Sequence, residues 1–354
     1  MEEKRILVHC STNLGTSNFG DVLFSFMILK HLQDRGYHAA FYQLSPYIQN
    51  YLFNIHGLKK EKISIGQADA VVYFAGGYFG YSKSLTLYRK IRHFYRYILF
   101  GIRASLRRKP MAIIGIGAGD YLWPPARLAV KSFCGNAGCI TVRDNPSEKF
   151  LSALCPDCKI HVCSDAAQCV DPEELIIDEK LSFDKELRYI FLHCHDSSEV
   201  AERFALGLKE LVNADDSLRV IVGDDGIGDA SAFVRKAAEI LGNERVIAYD
   251  YTTPDNLCFT LAQCSLVLTS KLHVGIMSAA MGSSPIAFAK RYKVSRYYEQ
   301  IGESGRCVDY SAASPELIAE MAKKYLGKGI HLNDRIISAS KKNFELLDSF
   351  LEEI

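Results

Sequence analysis

The chain has 354 residues, of which 48% are hydrophobic and 23% charged, with a formal net charge of +1. That length exceeds one ordinary hydrophobic core and suits two domains, and the composition excludes a disordered chain. The near-neutral balance argues against nucleic acid as a partner, and no apolar run approaches bilayer-spanning length.

From the start MEEKRILVHCS the pattern alternates strand and helix, the signature of a parallel α/β sheet. Strands are predicted over residues 5–10, 38–44, 70–75, 112–119, 139–142 and 159–163. A polar, glycine-containing loop follows the first strand, and Asp21 opens a helix reaching about Arg35. Gly76-Gly77 is expected to close the third strand. Residues 83–109 read as one long helix with an apolar stripe of Leu87, Ile91, Phe94, Ile98, Ile102 and Leu106.

Residues 167–186 are polar and acidic and break the rhythm, so they are predicted as a linker. A second alternation follows, with strands over residues 187–193, 218–222, 246–249, 266–268 and 286–289 and a short edge strand from Cys307. Helices at about 314–327 and 332–352 end the chain. The fold class expected is therefore α/β, with two Rossmann-like domains facing a cleft. Residues 1–170 form the first, residues 187–330 the second, and residues 331–354 a C-terminal helix.

Ligands of open parallel sheets collect at the carboxyl ends of the strands. The first domain places Asn18, Gly20, Asp21, Gly76, Gly77, Gly117, Gly119, Asp120, Arg143, Asp144 and Asp165 there. The second places His193, His195, Asp224, Asp225, Lys271 and His273 there. Leu266-Val-Leu-Thr-Ser-Lys-Leu-His273 reads as a buried strand, a polar turn and a helix ended by Gly282. Thr269 or Ser270 is expected as its cap, with Lys271 and His273 in the first turn beside unpaired backbone N–H groups. A cation, an imidazole and a helix N-terminus suit a phosphate or carboxylate; the plainer alternative is a surface lysine and a satisfied histidine. Gly115-Ile-Gly-Ala-Gly119 lacks full dinucleotide spacing, so no NAD site is read from it.

His193-Cys-His195 has the alternation of a two-histidine metal pair, but no carboxylate spacing nearby completes a ligand set, and no metal is expected. Gly223-Asp-Asp-Gly-Ile-Gly-Asp229 reads as a capped strand-to-helix turn. Eleven cysteines without an export signal are expected as reduced thiols in core positions. Cys155, Cys158, Cys163 and Cys169 offer thiols for zinc, but strand alternation would split them between faces.

Asn18-Phe-Gly-Asp21, Phe74-Ala-Gly-Gly77, Gly115-Ile-Gly-Ala-Gly119, Val142-Arg-Asp144, Ser164-Asp165 and above all Thr269-Ser-Lys-Leu-His273 with Gly282 resemble the polysaccharide pyruvyl transferase family. The resemblance covers nearly the whole chain and implies a fold similar to B-type glycosyltransferases. It implies an enzyme that moves the pyruvate group of phosphoenolpyruvate onto a sugar diol as a ketal, releasing phosphate, with no cofactor beyond that donor. Lys271 stands where the family usually has arginine, keeping the charge without the planar fork. Tyr78 stands where a third glycine is often found.

In this chemistry His273 is the expected acid, and Asp21, Asp120 and Asp165 are unranked candidate bases. Lys271, Arg143, Ser270 and the helix N-terminus would hold the donor. Asn18, Gly20, Gly76, Gly77, Gly117 and Gly119 would line the site, and Asp120 with Trp123 or Tyr121 would meet an acceptor sugar; Trp123 filling the core is an equal alternative. A nucleotide-sugar glycosyltransferase, with Glu299 on the donor ribose, and a non-catalytic two-lobed binder remain as competing readings. Arg89, Arg92, Arg96, Arg103 and Arg107 with interleaved tyrosines make residues 83–109 a candidate for an anionic membrane surface, and the chain is expected in the cytoplasm or peripheral at the inner face of the plasma membrane. The alternative is a crossover helix that only covers its sheet.

Overall fold

The structure is a computed structural model and describes residues 4–12, 17–80, 85–119, 122–195 and 197–354. By its internal contacts the chain forms two units. The first holds residues 1–17, 21–169 and 334–354; the second holds residues 18–20 and 170–333.

In the first unit the elements are β1 (Arg5–His9), α1 (Phe19–Asp34, whose first two residues count with the second unit), β2 (His38–Phe41), α2 (Pro46–Gln49), β3 (Ala70–Phe79), α3 (Leu87–His93), α4 (Leu99–Leu106), β4 (Met111–Ala118), α5 (Pro124–Cys134), β5 (Cys139–Val142), α6 (Asn145–Leu154) and β6 (His161–Val162). The six strands form one parallel sheet in the order β2-β1-β3-β4-β5-β6. Its central strands are buried on both faces, as their continuous apolar runs require.

The second unit contains β7 (Arg188–His193), α7 (Ser198–Asn213), β8 (Leu218–Gly223), α8 (Ser231–Leu241), β9 (Val246–Tyr249), α9 (Pro254–Ala262), β10 (Cys264–Thr269), α10 (Leu272–Ala280), β11 (Pro285–Ala289), α11 (Tyr292–Gln300), β12 (Cys307–Asp309) and α12 (Pro315–Tyr325). Its parallel sheet runs β12-β11-β10-β7-β8-β9. The order reverses between β7 and β10, which makes their carboxyl ends the expected ligand position of a doubly wound sheet.

The last helix, α13 (Asp334–Glu352), packs in the first unit. A buried polar clamp fixes it there. Asn343 Nδ2 donates to the carbonyls of Ser164 at 2.9 Å and Ser340 at 3.0 Å, and Asn343 Oδ1 accepts from Thr141 Oγ1 at 2.6 Å. Thr141 Oγ1 in turn accepts the Gly115 N–H at 2.6 Å. Asn343→Ala strands these buried groups and is expected to cost about 2 kcal/mol or more, seen as an earlier thermal transition. An unchanged midpoint would show that the clamp contributes nothing.

Two local expectations are corrected. Gly76-Gly77 does not close β3. Ala75 and Gly76 take left-handed backbone (φ 47° and 98°), a bulge after which the strand resumes to Phe79. A Cβ on Gly76 would lie 2.5 Å from Tyr78 Cζ, so the position of the Tyr78 ring depends on the glycine two positions before it.

The helix over residues 83–109 does not keep one stripe. Residues 83–84 lie outside the described residues, Thr86 caps α3, and Phe94–Ile98 form a wide π-turn before α4. The added residue rotates the helix face. His93, Ile98, Phe100, Gly101 and Ala104 are buried, whereas Leu87, Ile91 and Leu106 are 62%, 40% and 78% exposed. No helix among the described residues is long and apolar enough to cross a membrane. All eleven cysteines carry free thiols, and most are buried.

Candidate active site

The second unit gathers Asn18, Gly20, Lys271 and His273 with four residues at the carboxyl ends of β7 and β8, His193, His195, Asp224 and Asp225. Thr269 ends β10, and its Oγ1 accepts the Lys271 N–H at 3.0 Å. This turn makes Lys271 the N-cap of α10 (φ −102°, ψ 141°), so the cap falls one or two residues later than the Thr269 or Ser270 expected from the sequence, and His273 is the second helical residue. Ser270, Lys271 and His273 are all half-buried. They stand at the carboxyl end of β10, on the switch point of the sheet.

Lys271 Nζ lies 3.0 Å from Asp225 Oδ1. Asp225 is buried; its Oδ2 is 3.4 Å from Asn18 Nδ2, and its carbonyl accepts the Phe19 N–H at 2.9 Å. Burial would raise the Asp225 carboxyl, yet His193 and Lys271 hold it well below the ordinary carboxylate range. Gly20 is fixed by space. A Cβ there would fall 1.9 Å from His273 Nδ1, so the glycine seats the imidazole.

His193, at the end of β7, is fully buried, with Nε2 3.3 Å from both Asp224 Oδ1 and Asp225 Oδ1. Asp224 also meets His195 Nδ1 at 3.0 Å, and the two imidazoles stack with centroids 6.3 Å apart. The sequence reading found no carboxylates for the histidine pair; the fold supplies them from the turn after β8. Among the described residues, His193, Asp224 and Asp225 form the one group whose ligand atoms lie within 4.8 Å of one another, a donor set suited to a cation. The ammonium of Lys271 already sits on the shared Asp225 oxygen.

In the first unit, Arg143 and Asp165 form a buried pair. Arg143 Nη1 is 3.3 Å from Asp165 Oδ2 and Nε is 3.9 Å from Asp144 Oδ2. Asp144 also caps α6 through the Ser147 N–H at 2.8 Å. The Arg143 guanidinium lies over Gly117, where a Cβ would be 2.8 Å from Nη2. Asp165 Oδ1 accepts the Ala167 N–H at 3.2 Å. Asp21 is half-buried near Cys10 and Tyr78, whose ionisation its charge opposes. Gly77 is exposed, and the Gly119 N–H donates to Phe79. Trp123 is half-buried against the core, edge-to-face with Phe94 at 6.1 Å. Asp120 and Tyr121 lie outside the described residues.

Two Rossmann-like units with a basic helix start at a switch point define a protein of the B-type glycosyltransferase fold. Solved structures agree on that fold. A Listeria monocytogenes protein assigned as a UDP-N-acetylglucosamine 2-epimerase matches with TM-score 0.68 at 11% identity over 100% of this chain and 98% of its own. The Neisseria meningitidis UDP-N-acetylglucosamine 2-epimerase matches at 0.67 and 12%, over 98% and 100%. The Methanocaldococcus jannaschii enzyme of the same activity matches at 0.66 and 12%, over 98% and 99%. No curated protein sequence matches significantly. The family model for polysaccharide pyruvyl transferase matches residues 18–289, more than half of the chain, and the chain belongs to that family of transferases.

Proposed function

We propose that the protein transfers the pyruvate group of phosphoenolpyruvate to two hydroxyls of a sugar in a polysaccharide or its lipid-linked precursor. The observation that carries this is the placement of Lys271 and His273 at the start of α10 in a chain of this family. The donor brings a phosphate and a carboxylate to the lysine and the helix N-terminus. His273 gives a proton to the methylene carbon as a first sugar hydroxyl bonds to the adjacent carbon. Phosphate departs from that carbon and the second hydroxyl takes its place, closing the ketal. The hydroxyl protons leave through a carboxylate base, for which Asp21 and Asp165 are the proposed candidates; Arg143 already partners Asp165, which suits a structural pair as well.

The test is phosphate release from phosphoenolpyruvate with a panel of free and lipid-linked galactosides, glucosides and mannosides. Turnover of a nucleotide sugar instead would replace this reading with a glycosyltransferase. Lys271→Ala is expected to weaken phosphoenolpyruvate binding about ten- to a hundredfold by calorimetry, the loss of one charged hydrogen bond. Lys271→Arg is expected to bind at least as well as the parent.

We also propose a peripheral membrane position through α3. Leu87, Tyr88, Ile91 and Tyr95 are exposed at one end of the helix beside exposed Arg89 and Arg92. Apolar and aromatic groups flanked by cations suit an anionic headgroup layer. Binding to anionic vesicles at low salt, fading as salt rises, is expected. Leu87→Asp with Ile91→Asp should release the protein, and equal partitioning of parent and variant would remove the proposal.

A further inference from the structure

We propose that His193 is a positioning residue that braces Lys271 at two points, its backbone N–H and its ammonium group. The two ring nitrogens reach separate supports. Nδ1 lies 3.1 Å from Thr269 Oγ1, the atom that accepts the Lys271 N–H. Nε2 lies 3.3 Å from Asp225 Oδ1, the atom that holds Lys271 Nζ at 3.0 Å. One buried imidazole thus touches the anchors of both the main chain and the side chain of the N-cap residue. The strand order explains the placement: β7 and β10 are neighbours, and β8 borders β7 on the other side, so the carboxyl end of β7 meets both turns.

Charge balance points the same way. Asp224 and Asp225 carry two negative charges against the single positive charge of Lys271. The His193 imidazole is a further group that meets both carboxylates, at 3.3 Å from each. Burial alone would lower the pKa of the imidazole, but the two carboxylates raise it above the ordinary value. His195 adds a second imidazole on Asp224, and its side chain is 34% exposed.

This inference rests on the donor-site reading for Lys271 only in its effect on binding, so the experiment reads the brace separately. His193→Gln keeps an amide near the Nε2 position and His193→Asn keeps one near Nδ1. Backbone hydrogen exchange over residues 269–274, followed by mass spectrometry on the folded full chain, is expected to be about tenfold faster in His193→Gln, which gives up the Nδ1 contact to Thr269, and close to the parent in His193→Asn; tenfold is the scale of one lost hydrogen bond. Phosphoenolpyruvate affinity, by calorimetry, is expected to fall about tenfold in His193→Asn, which gives up the Nε2 contact to Asp225. Exchange equal to the parent in both variants overturns the brace. So does unchanged affinity in both while Lys271→Ala weakens binding. Faster exchange, with phosphoenolpyruvate affinity unaltered by Lys271→Ala, leaves the brace standing and removes the donor-site reading.

Discussion

His273→Ala is expected to lower phosphate release from phosphoenolpyruvate by about a hundred- to ten-thousandfold, the usual contribution of a positioned general acid. The fold should survive. His273 is the second residue of α10 and only half-buried, while the helix is held by Leu272, Val274, Ile276 and Met277, all buried in the second unit. Phosphoenolpyruvate affinity should change little, because the cation proposed to meet the donor is Lys271. The pair of variants therefore separates binding from proton delivery: Lys271→Ala moves affinity, and His273→Ala moves the rate. Phosphate release at the parent rate in His273→Ala would end the assignment of His273 as the acid.

Gly20→Ala is expected to disable the enzyme almost as fully without touching a titratable group. The new methyl carbon would need the space of the His273 ring, 1.9 Å from Nδ1, a separation no real contact tolerates. Either the ring swings away from its position or the backbone near Phe19 retreats and strains its 2.9 Å bond to Asp225. Overpacking of this kind costs about 1–3 kcal/mol. The double variant Gly20→Ala with His273→Ala should recover that stability, because the imidazole that the new methyl carbon meets is gone, yet stay inactive. A non-additive cycle in thermal stability, beyond about 0.5 kcal/mol, identifies the two as direct neighbours. Additive changes, or parent activity in Gly20→Ala, would show that the glycine is there for another reason.

Much of the architecture follows from residues close together in the chain. Runs such as Ala70-Val-Val-Tyr-Phe and Ala112-Ile-Ile are apolar on both faces, which only a buried parallel strand satisfies. The helices between them carry their apolar residues at helical spacing, so the alternation and both sheets were legible. The segment from β10 to Gly282 was also legible, because a small-residue helix between two apolar strands has few other solutions; Gly282 follows α10 with φ 78°. Arg143, Asp165, Lys271 and His273 stood out as polar residues at strand ends.

What those residues touch was settled only by contacts between distant parts of the chain. The strand orders β2-β1-β3-β4-β5-β6 and β12-β11-β10-β7-β8-β9 depend on long-range pairing, which a local hydrophobic pattern does not encode. Gly20 looked like a ligand-approach glycine, and the fold makes it the seat of a histidine 253 positions later. Asp224 and Asp225 looked like turn caps; the neighbouring ends of β7, β8 and β10 turn them into partners of His193 and Lys271. The π-turn at Phe94–Ile98 shifted the buried face of its helix because packing against the sheet, rather than the α-helical period, chose which residues turn inward. Residues 334–354 are an amphipathic helix by sequence alone, but only the buried clamp of Asn343 on Thr141 and Ser164 assigns that helix to the first unit. Periodicity reports which face of an element is buried, and the partner that buries it lies elsewhere in the chain, so elements were readable from the sequence and pairings from the tertiary structure alone.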